Sequence, residues 1–543
     1  MVTPDPSFGQ QPNVSNSQRR WWETAVIYQV YVRSFYDTDG DGYGDLPGVT
    51  AKLEHLRWLG VDVVWLSPIM PSPDRDWGYD VSDYTGVHPE LGTPEDLSRL
   101  IAEADRLGIK VVLDLVPNHT SNLHPWFVEG LIDTRSPKRD YYVWANAGPN
   151  GGPPNNWLAA TGSPAWNFEP KSRQFYLHNF LPDQPDLNWW NPEVQRAFEE
   201  IIRHWLDQGV AGFRIDVAHG LFHDLELRDN PSGPVGPESR FGQIPLYNVN
   251  RPEVHQLYRS WRAMADSYQP PRLLLGETWV LDVNRLAAFY GRDDELHLAF
   301  NFNFVFAKPS PDALAGVVAD TLRALPPRAC PVWVASNHDI PRFPTRWAKG
   351  SDGLSRLLMT VLCTLPGTVV LYQGDELGLG DVEVPVEQQR DPMSWRSAPG
   401  RYNRDRARTP LPWDEQPPNH GFCPPEVEPW LPLGPRSGVS VAAQHQDPGS
   451  FLHLTRQLLG LRQDLGDPDN YELLEVDEHR WVYRRGLVMV AANFSSEPLA
   501  VDLHEGRPLL SSLSGHPVPV ASSGTWQLAP FEALVIDGGH LAG

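Results

Sequence analysis

Eight short apolar runs recur along the chain, each followed by a stretch of helical character: Ile27–Phe35, Val61–Pro68, Ile109–Val116, Val210–Val217, Leu273–Thr278, Leu298–Phe304, Val332–Ser336 and Thr368–Tyr372. Several are hydrophobic almost without interruption, as in Lys110-Val111-Val112-Leu113-Asp114-Leu115-Val116. A strand needs that pattern when both of its faces are covered, and both faces are covered in a parallel sheet flanked by helices. Strands and helices alternating in this number predict an α/β fold, a (β/α)8 TIM barrel. The intervening segments carry helix-start signals. In Thr93-Pro94-Glu95-Asp96-Leu97 an N-cap residue precedes a proline at the first helical position and acids in the first turn.

The spacing of the runs divides the chain. Nearly a hundred residues, rich in Asn, Pro and Gly, separate the third run from the fourth, too many for a simple connection. We assign 21–118 and 192–470 to the barrel and 119–191 to a subdomain inserted after the third strand. From Tyr471 short alternating segments such as Trp481-Val482-Tyr483 predict a C-terminal antiparallel β domain over 471–543. A second irregular stretch, rich in Pro and Arg, covers Ser397 to Gly449. Residues 1–20 are polar, lack the apolar core of a secretory signal, and are expected to form a disordered extension.

A formal net charge of −23 repels nucleic-acid phosphates, and no Lys/Arg stripe offers a local exception. No apolar run reaches the roughly 18 residues of a membrane span. The three cysteines, Cys330, Cys363 and Cys423, match neither a zinc site nor a redox pair, which fits inert thiols in a cytoplasmic protein. Small neutral molecules are therefore the expected partners. The sequence carries no signal for oligomeric state.

Barrel active sites form at the C-terminal ends of the strands, so polar residues there carry the chemistry. Five runs end in such residues: Asp114-Leu-Val-Pro-Asn118-His119, Arg214-Ile-Asp216-Val217-Ala218-His219, Gly276-Glu277-Thr-Trp279, Ser336-Asn337-His338-Asp339 and Gln373-Gly-Asp375-Glu376. Arg214 and Asp216 stand two apart on one strand and project to the same side. An arginine that close is expected to lower the pKa of Asp216 and keep it ionised, as a carboxylate nucleophile requires. Glu277, one strand away, is the expected protonated partner, completing the two-carboxylate arrangement of glycoside hydrolysis.

These segments, in this order, resemble the conserved regions of the α-amylase family of glycoside hydrolases, and the resemblance extends over nearly the whole chain from Trp21. It implies a retaining mechanism with Asp216 as nucleophile, Glu277 as acid/base and Asp339 as transition-state stabiliser. It also implies that Asp114, His119, Arg214 and His338 hold the glucose ring at the cleavage position. Within the family, Gln184-Pro-Asp186-Leu-Asn188 and Asp76-Trp-Gly-Tyr79-Asp80 resemble the oligo-1,6-glucosidase and α-glucosidase group. In that group the counterpart of Asp76 pairs with an arginine, here Arg404, and closes the pocket behind one sugar. Exo-cleavage of short α-glucosides follows, with transglucosylation when a sugar replaces water. Tyr79, Phe180 and Gln184 are further substrate-contact candidates.

Val217, directly after the nucleophile position, matches members that cleave α-1,6 bonds. Ala218 and His219 depart from the oligo-1,6-glucosidase continuation, which favours a general α-glucosidase with α-1,4 activity. Oligo-1,6-glucosidases, trehalose synthase and sucrose-cleaving relatives share the motifs and remain the alternatives.

One further motif lies outside this set. Asp37-Thr-Asp39-Gly-Asp41-Gly42-Tyr43-Gly-Asp45 places acids at positions one, three, five and nine of a calcium loop, with glycine at six. Gly48 stands where an EF-hand has its bidentate Glu. Oxygen ligands favour Ca2+, or Mg2+, over zinc, and the resembled group carries a structural ion at this loop. The expected ligand set is Asp37, Asp39, Asp41, Tyr43 and Asp45.

Overall fold

The computed structural model describes residues 20–236, 238–239, 241–396, 403–434, 438–465, 471–503, 506–513 and 524–538. The expected N-terminal extension, apart from Arg20, lies outside these residues.

All eight runs contain strands, and the strands form one parallel sheet: Val26–Val30, Val63–Leu66, Lys110–Leu115, Gly212–Ile215, Leu273–Gly276, Leu298–Ala299, Val332–Val334 and Thr368–Tyr372. Each pairs with the next in the chain, and the last pairs with the first through Val26 opposite Val369, leaving one seam between the sixth and seventh strands. The sheet is thus a nearly closed (β/α)8 barrel.

Alternation along the strands sorts the apolar side chains into two cores. Val26, Tyr28, Val30, Val64, Leu66, Val111, Leu113 and Phe213 pack outward against the helices. Ile27, Val63, Trp65, Val112, Leu273 and Leu275 fill the interior. The period of two then carries the interior file onto the polar residues. Val112 is followed inward by Asp114, Gly212 by Arg214 and Asp216, and Leu275 by Glu277. The register places Asp114 opposite Arg214 on the neighbouring strand. Gly212 is obligatory in this file. Its φ is +152°, and a Cβ there would lie 2.2 Å from the Leu273 carbonyl oxygen.

Two runs differ from expectation. The first strand stops at Val30, where the Tyr31 N–H turns to the Gln373 side-chain oxygen (2.8 Å), and Val32–Ser34 form a 3-10 turn. The sixth strand has only two residues, because Asn301 caps a short helix, Phe302–Phe306, accepting from Asn303 N at 3.1 Å. A short buried apolar run reads alike as strand or helix. The helix signal at Thr93 holds: Pro94–Arg106 is helical, with a reciprocal capping box between Thr93 and Asp96.

Between the third and fourth barrel strands, Trp144–Asn146, Trp166–Glu169 and Gln174–Leu177 form a small antiparallel sheet. Single bridges, His119 with Asp186 and Tyr142 with Leu187, tie the return of this excursion to its start. At the C-terminus Tyr471–Val476, Arg480–Arg485, Val488–Asn493, Ala533–Asp537 and Arg507–Ser511 build a five-stranded antiparallel sheet, and Leu499–Asp502 pairs with Thr525–Leu528. Their shared core includes Val482, Ala491, Trp526 and Leu534. Among the described residues no helix is long and apolar enough to cross a membrane.

Candidate active site

The inward files converge on one cation. The Arg214 guanidinium, fully buried, contacts Asp114 (2.9 Å) and Asp216 (2.7 Å) through Nη1 and Glu277 (3.0 Å) through Nη2. Asp114 also accepts from the Trp65 indole N–H (3.2 Å) and the Tyr79 hydroxyl (3.1 Å). The second oxygen of Glu277 accepts from the Val217 N–H at 3.0 Å. Val217 makes that bond with φ at +46°, a strained value for a β-branched residue, in the turn directly after the fourth strand.

Three buried carboxylates around one guanidinium correct the expected ionisation. Burial pushes Asp216 well above the usual carboxylate range; Arg214 opposes the shift, and the charges of Glu277 and Asp114 add to it. Burial likewise raises Asp114 to about 6 against the pull of Arg214. Arg214 therefore does not set the ionisation of Asp216 alone: burial outweighs its pull, and Glu277 and Asp114 add to the rise.

A second cluster faces the first. Asp339 lies 2.8 Å from Arg408, 3.1 Å from Arg404 and 3.3 Å from His338 Nε2. Burial opposes its ionisation, but the guanidiniums of Arg404, Arg408 and Arg214 outweigh burial and hold the Asp339 carboxyl below the usual range. Burial holds the His338 imidazole well below its ordinary pKa. The Gln29 amide lies 2.7 Å from its Nδ1, and its ring stacks on Tyr79 at 5.1 Å.

Arg404 makes the expected pair with Asp76 at 2.6 Å. It also binds Asp391 at 2.7 Å. Gln184 donates to Asp76 (3.2 Å) and lies 3.1 Å from His119 Nε2, while His119 is lowered to about 4 by burial and contacts the Tyr79 carbonyl at 2.9 Å. Phe180 packs on His119 with ring centres 5.2 Å apart.

Asp76, Tyr79, His119, Phe180, Gln184, Asp216, Val217, Glu277, Asp339 and Arg404 all line one cavity at the C-terminal end of the strands. Asp114, Arg214 and His338 lie beneath that lining, 1%, 0% and 0% exposed. Sequence reasoning missed Asp391, which anchors Arg404 from an irregular segment with no period to reveal it. It also missed Phe241, Gln243, Asn248 and Asn250, which line the cavity from the connection after the fourth strand. Trp279, two residues beyond Glu277, lines the cavity too; its place just past a strand end was a usable signal.

The acidic loop is only partly as expected. Carboxylate oxygens of Asp37, Asp39 and Asp45 lie within 4.8 Å of one another. Asp41 is exposed, accepts from the Tyr43 N–H at 2.8 Å and stands outside this group. The Tyr43 ring stacks against Trp430 at 6.1 Å and Trp77 at 6.5 Å. Burial raises the carboxyls of Asp37 and Asp45, and neighbouring acids add to the shift. An all-oxygen cluster of mutually repelling acids fits a hard divalent cation.

The family model for the alpha-amylase catalytic domain matches residues 29–466. A Rhizobium meliloti (strain 1021) protein described as a probable alpha-glucosidase is 45% identical over 469 residues, 82% of this chain and 83% of its own length. The oligo-1,6-glucosidase of Parageobacillus thermoglucosidasius is 36% identical over 88% of this chain and 91% of its own. The solved structure of an alpha-glucosyl transfer enzyme, XgtA, superposes with a TM-score of 0.90 at 38% identity, covering 96% of this chain and 99% of that one. The chain belongs to the α-amylase family of glycoside hydrolases, in its α-glucosidase and oligo-1,6-glucosidase group.

Proposed function

We propose that the protein is a retaining, exo-acting α-glucosidase that releases α-glucose from the non-reducing end of short α-glucosides and transfers glucose to other acceptors as a side reaction. The observation that carries this reading is the sharing of Arg214 by Asp216 and Glu277 on neighbouring guanidinium nitrogens. That keeps the two carboxyl groups close, as in double displacement, where they stand about 5–5.5 Å apart.

One guanidinium cannot neutralise three buried carboxylates. The set retains a proton that belongs to the group rather than to one member. Reaction requires the proton on Glu277, which delivers it to the glycosidic oxygen while Asp216 attacks the anomeric carbon. Water then donates a proton to Glu277 as its oxygen displaces Asp216, and two inversions give retention. Asp339, held ionised by two arginines, stabilises positive charge on the sugar. Asp114, His119, Arg214 and His338 fix the ring at the cleavage position, with neutral imidazoles donating or accepting hydrogen bonds.

The Asp76–Arg404 pair, anchored by Asp391, forms the end wall of the pocket and supports action on chain ends. Maltase 1 of Drosophila virilis, 37% identical over 83% of this chain, supports small maltose-like substrates. For the acidic loop we propose Ca2+, held by Asp37, Asp39 and Asp45, as a structural ion that offsets carboxylate repulsion. The buried free thiols of Cys330, Cys363 and Cys423 support a cytoplasmic setting.

Three outcomes follow. Glu277→Gln lowers turnover at least about 10³-fold with the fold intact, and nuclear magnetic resonance of the wild-type reaction shows α-glucose as the first product; β-glucose overturns retention. Maltose is consumed much faster than soluble starch and faster than isomaltose, whereas a rapid fall in starch viscosity without glucose release identifies internal cleavage. Calcium at about 100 times its dissociation constant stabilises the fold by about 2.7 kcal/mol. Chelation therefore lowers the melting temperature and Asp39→Ala removes that sensitivity; an unchanged melting curve after metal removal rejects the ion.

A further inference from the structure

Asp76 and Arg404 meet at 2.6 Å although 328 residues separate them, and neither sits on a barrel strand. Keeping that contact requires two irregular segments to be held in register. On one side, the turn that carries Asp76 is gripped from within. Asp80, fully buried, accepts from Ser72 Oγ (2.7 Å) and from the backbone N–H groups of Arg75 and Asp76 (both 3.0 Å). On the other side Asp391 holds Arg404, accepting from its backbone N–H (2.8 Å), its Nε (3.1 Å) and its Nη2 (2.7 Å).

One side chain joins the two sides. The Trp77 indole N–H donates to the Arg390 carbonyl at 2.9 Å. The Arg390 and Asp391 N–H groups donate to Asp405, the neighbour of Arg404, at 2.7 and 3.0 Å. The contacts therefore close a circuit. Asp76 is bonded to Trp77, Trp77 reaches Arg390, Asp391 follows Arg390 and grips Arg404, and Arg404 returns to Asp76.

The backbone at Trp77 is strained to make this link. Its φ is +49°, a left-handed value that a bulky residue keeps only where its surroundings fix it. The ring lies 5.0 Å from Trp430 and 6.5 Å from Tyr43, and the Arg33 guanidinium stands 5.5 Å from its centre. These neighbours hold the ring with its N–H edge on Arg390. Packing alone would need the ring but not the donor.

We propose that Trp77 is a positioning residue for the end wall: its N–H keeps Asp76 in register with the Arg404–Asp391 pair and so sets affinity for the terminal glucose. Trp77 itself stands outside the cavity lining and acts through Asp76. The proposal rests on the end-wall reading of Asp76 and Arg404 and names the residue that holds that wall together. The wall meets the sugar away from the bond that breaks, so loosening it weakens ground state and transition state alike. Such a loss raises KM and leaves kcat in place.

The test removes the donor and keeps the ring. Trp77 is exchanged for 3-benzothienylalanine, in which sulfur replaces the N–H, and kcat and KM are measured with maltose. KM is expected to rise about fivefold, the worth of one net hydrogen bond, with kcat within about twofold of wild type. Asp391→Asn raises KM as well, and in the double variant the two effects fall short of multiplying, because both open the same circuit. If Asp391→Asn fails to fold, Arg404→Lys, which keeps the charge and loses the fork, takes its place. If Asp391→Asn raises KM while the Trp77 exchange leaves KM unchanged, lowers only kcat, or multiplies fully with Asp391→Asn, the role of Trp77 is overturned and the end wall stands. An unchanged KM in both variants overturns the end wall itself.

Discussion

The buried guanidinium of Arg214 is the contact on which the rest of the site depends. Three strands present Asp114, Asp216 and Glu277 to it, and none of these carboxylates could be buried together without a cation among them. Burial, only partly offset by that single cation, raises Asp216 and Asp114 above the usual carboxylate range. A glycosidase that works through one ionised and one protonated carboxyl needs such an imbalance. The barrel supplies the rigidity: all three acids and the arginine are set by strands or by the first residues beyond them, where the backbone is fixed by parallel pairing.

The facing cluster is built by the opposite strategy. Arg404 and Arg408 come from a short helix and its flank in an irregular region, and reach Asp339, Asp76 and Asp391 from outside the barrel. Here two guanidiniums crowd one end of the pocket, so Asp339 stays ionised while Asp216 and Asp114 are raised. The contrast between the two clusters is a matter of counting charges in a dry environment.

The legible part of the site is the part on the barrel strands. Position at the strand ends singled out Asp114, Arg214, Asp216, Glu277 and Asp339, the period of two put Arg214 and Asp216 on one side, and the resemblance supplied the role of Asp339. Asp76 with Arg404 needed the resemblance to relatives, since their pairing spans irregular chain. Asp391, Phe241 and Asn248 were not legible by either route. Their positions are set by tertiary contacts, such as Phe241 on Gly162 and Asn248 on Asn179, and no local pattern announces these. The ionisation of Asp216 was misread for a related reason: sequence showed the arginine beside it, but not the depth of burial or the two other acids that share that arginine. In the acidic loop, spacing gave the candidate acids but not that the carboxylates of Asp37, Asp39 and Asp45 are the ones drawn together within 4.8 Å.

The central claim, that Asp216 forms the covalent intermediate, is tested most directly by trapping. Incubation with 5-fluoro-α-glucosyl fluoride, followed by peptic digestion and mass spectrometry, reports which carboxylate carries the sugar. The account predicts one fluoroglucosyl adduct per chain on the peptide containing Asp216, absent in Asp216→Ala. A label on the Asp339 or Asp114 peptide, or rapid turnover of α-glucosides by Asp216→Ala, would contradict it.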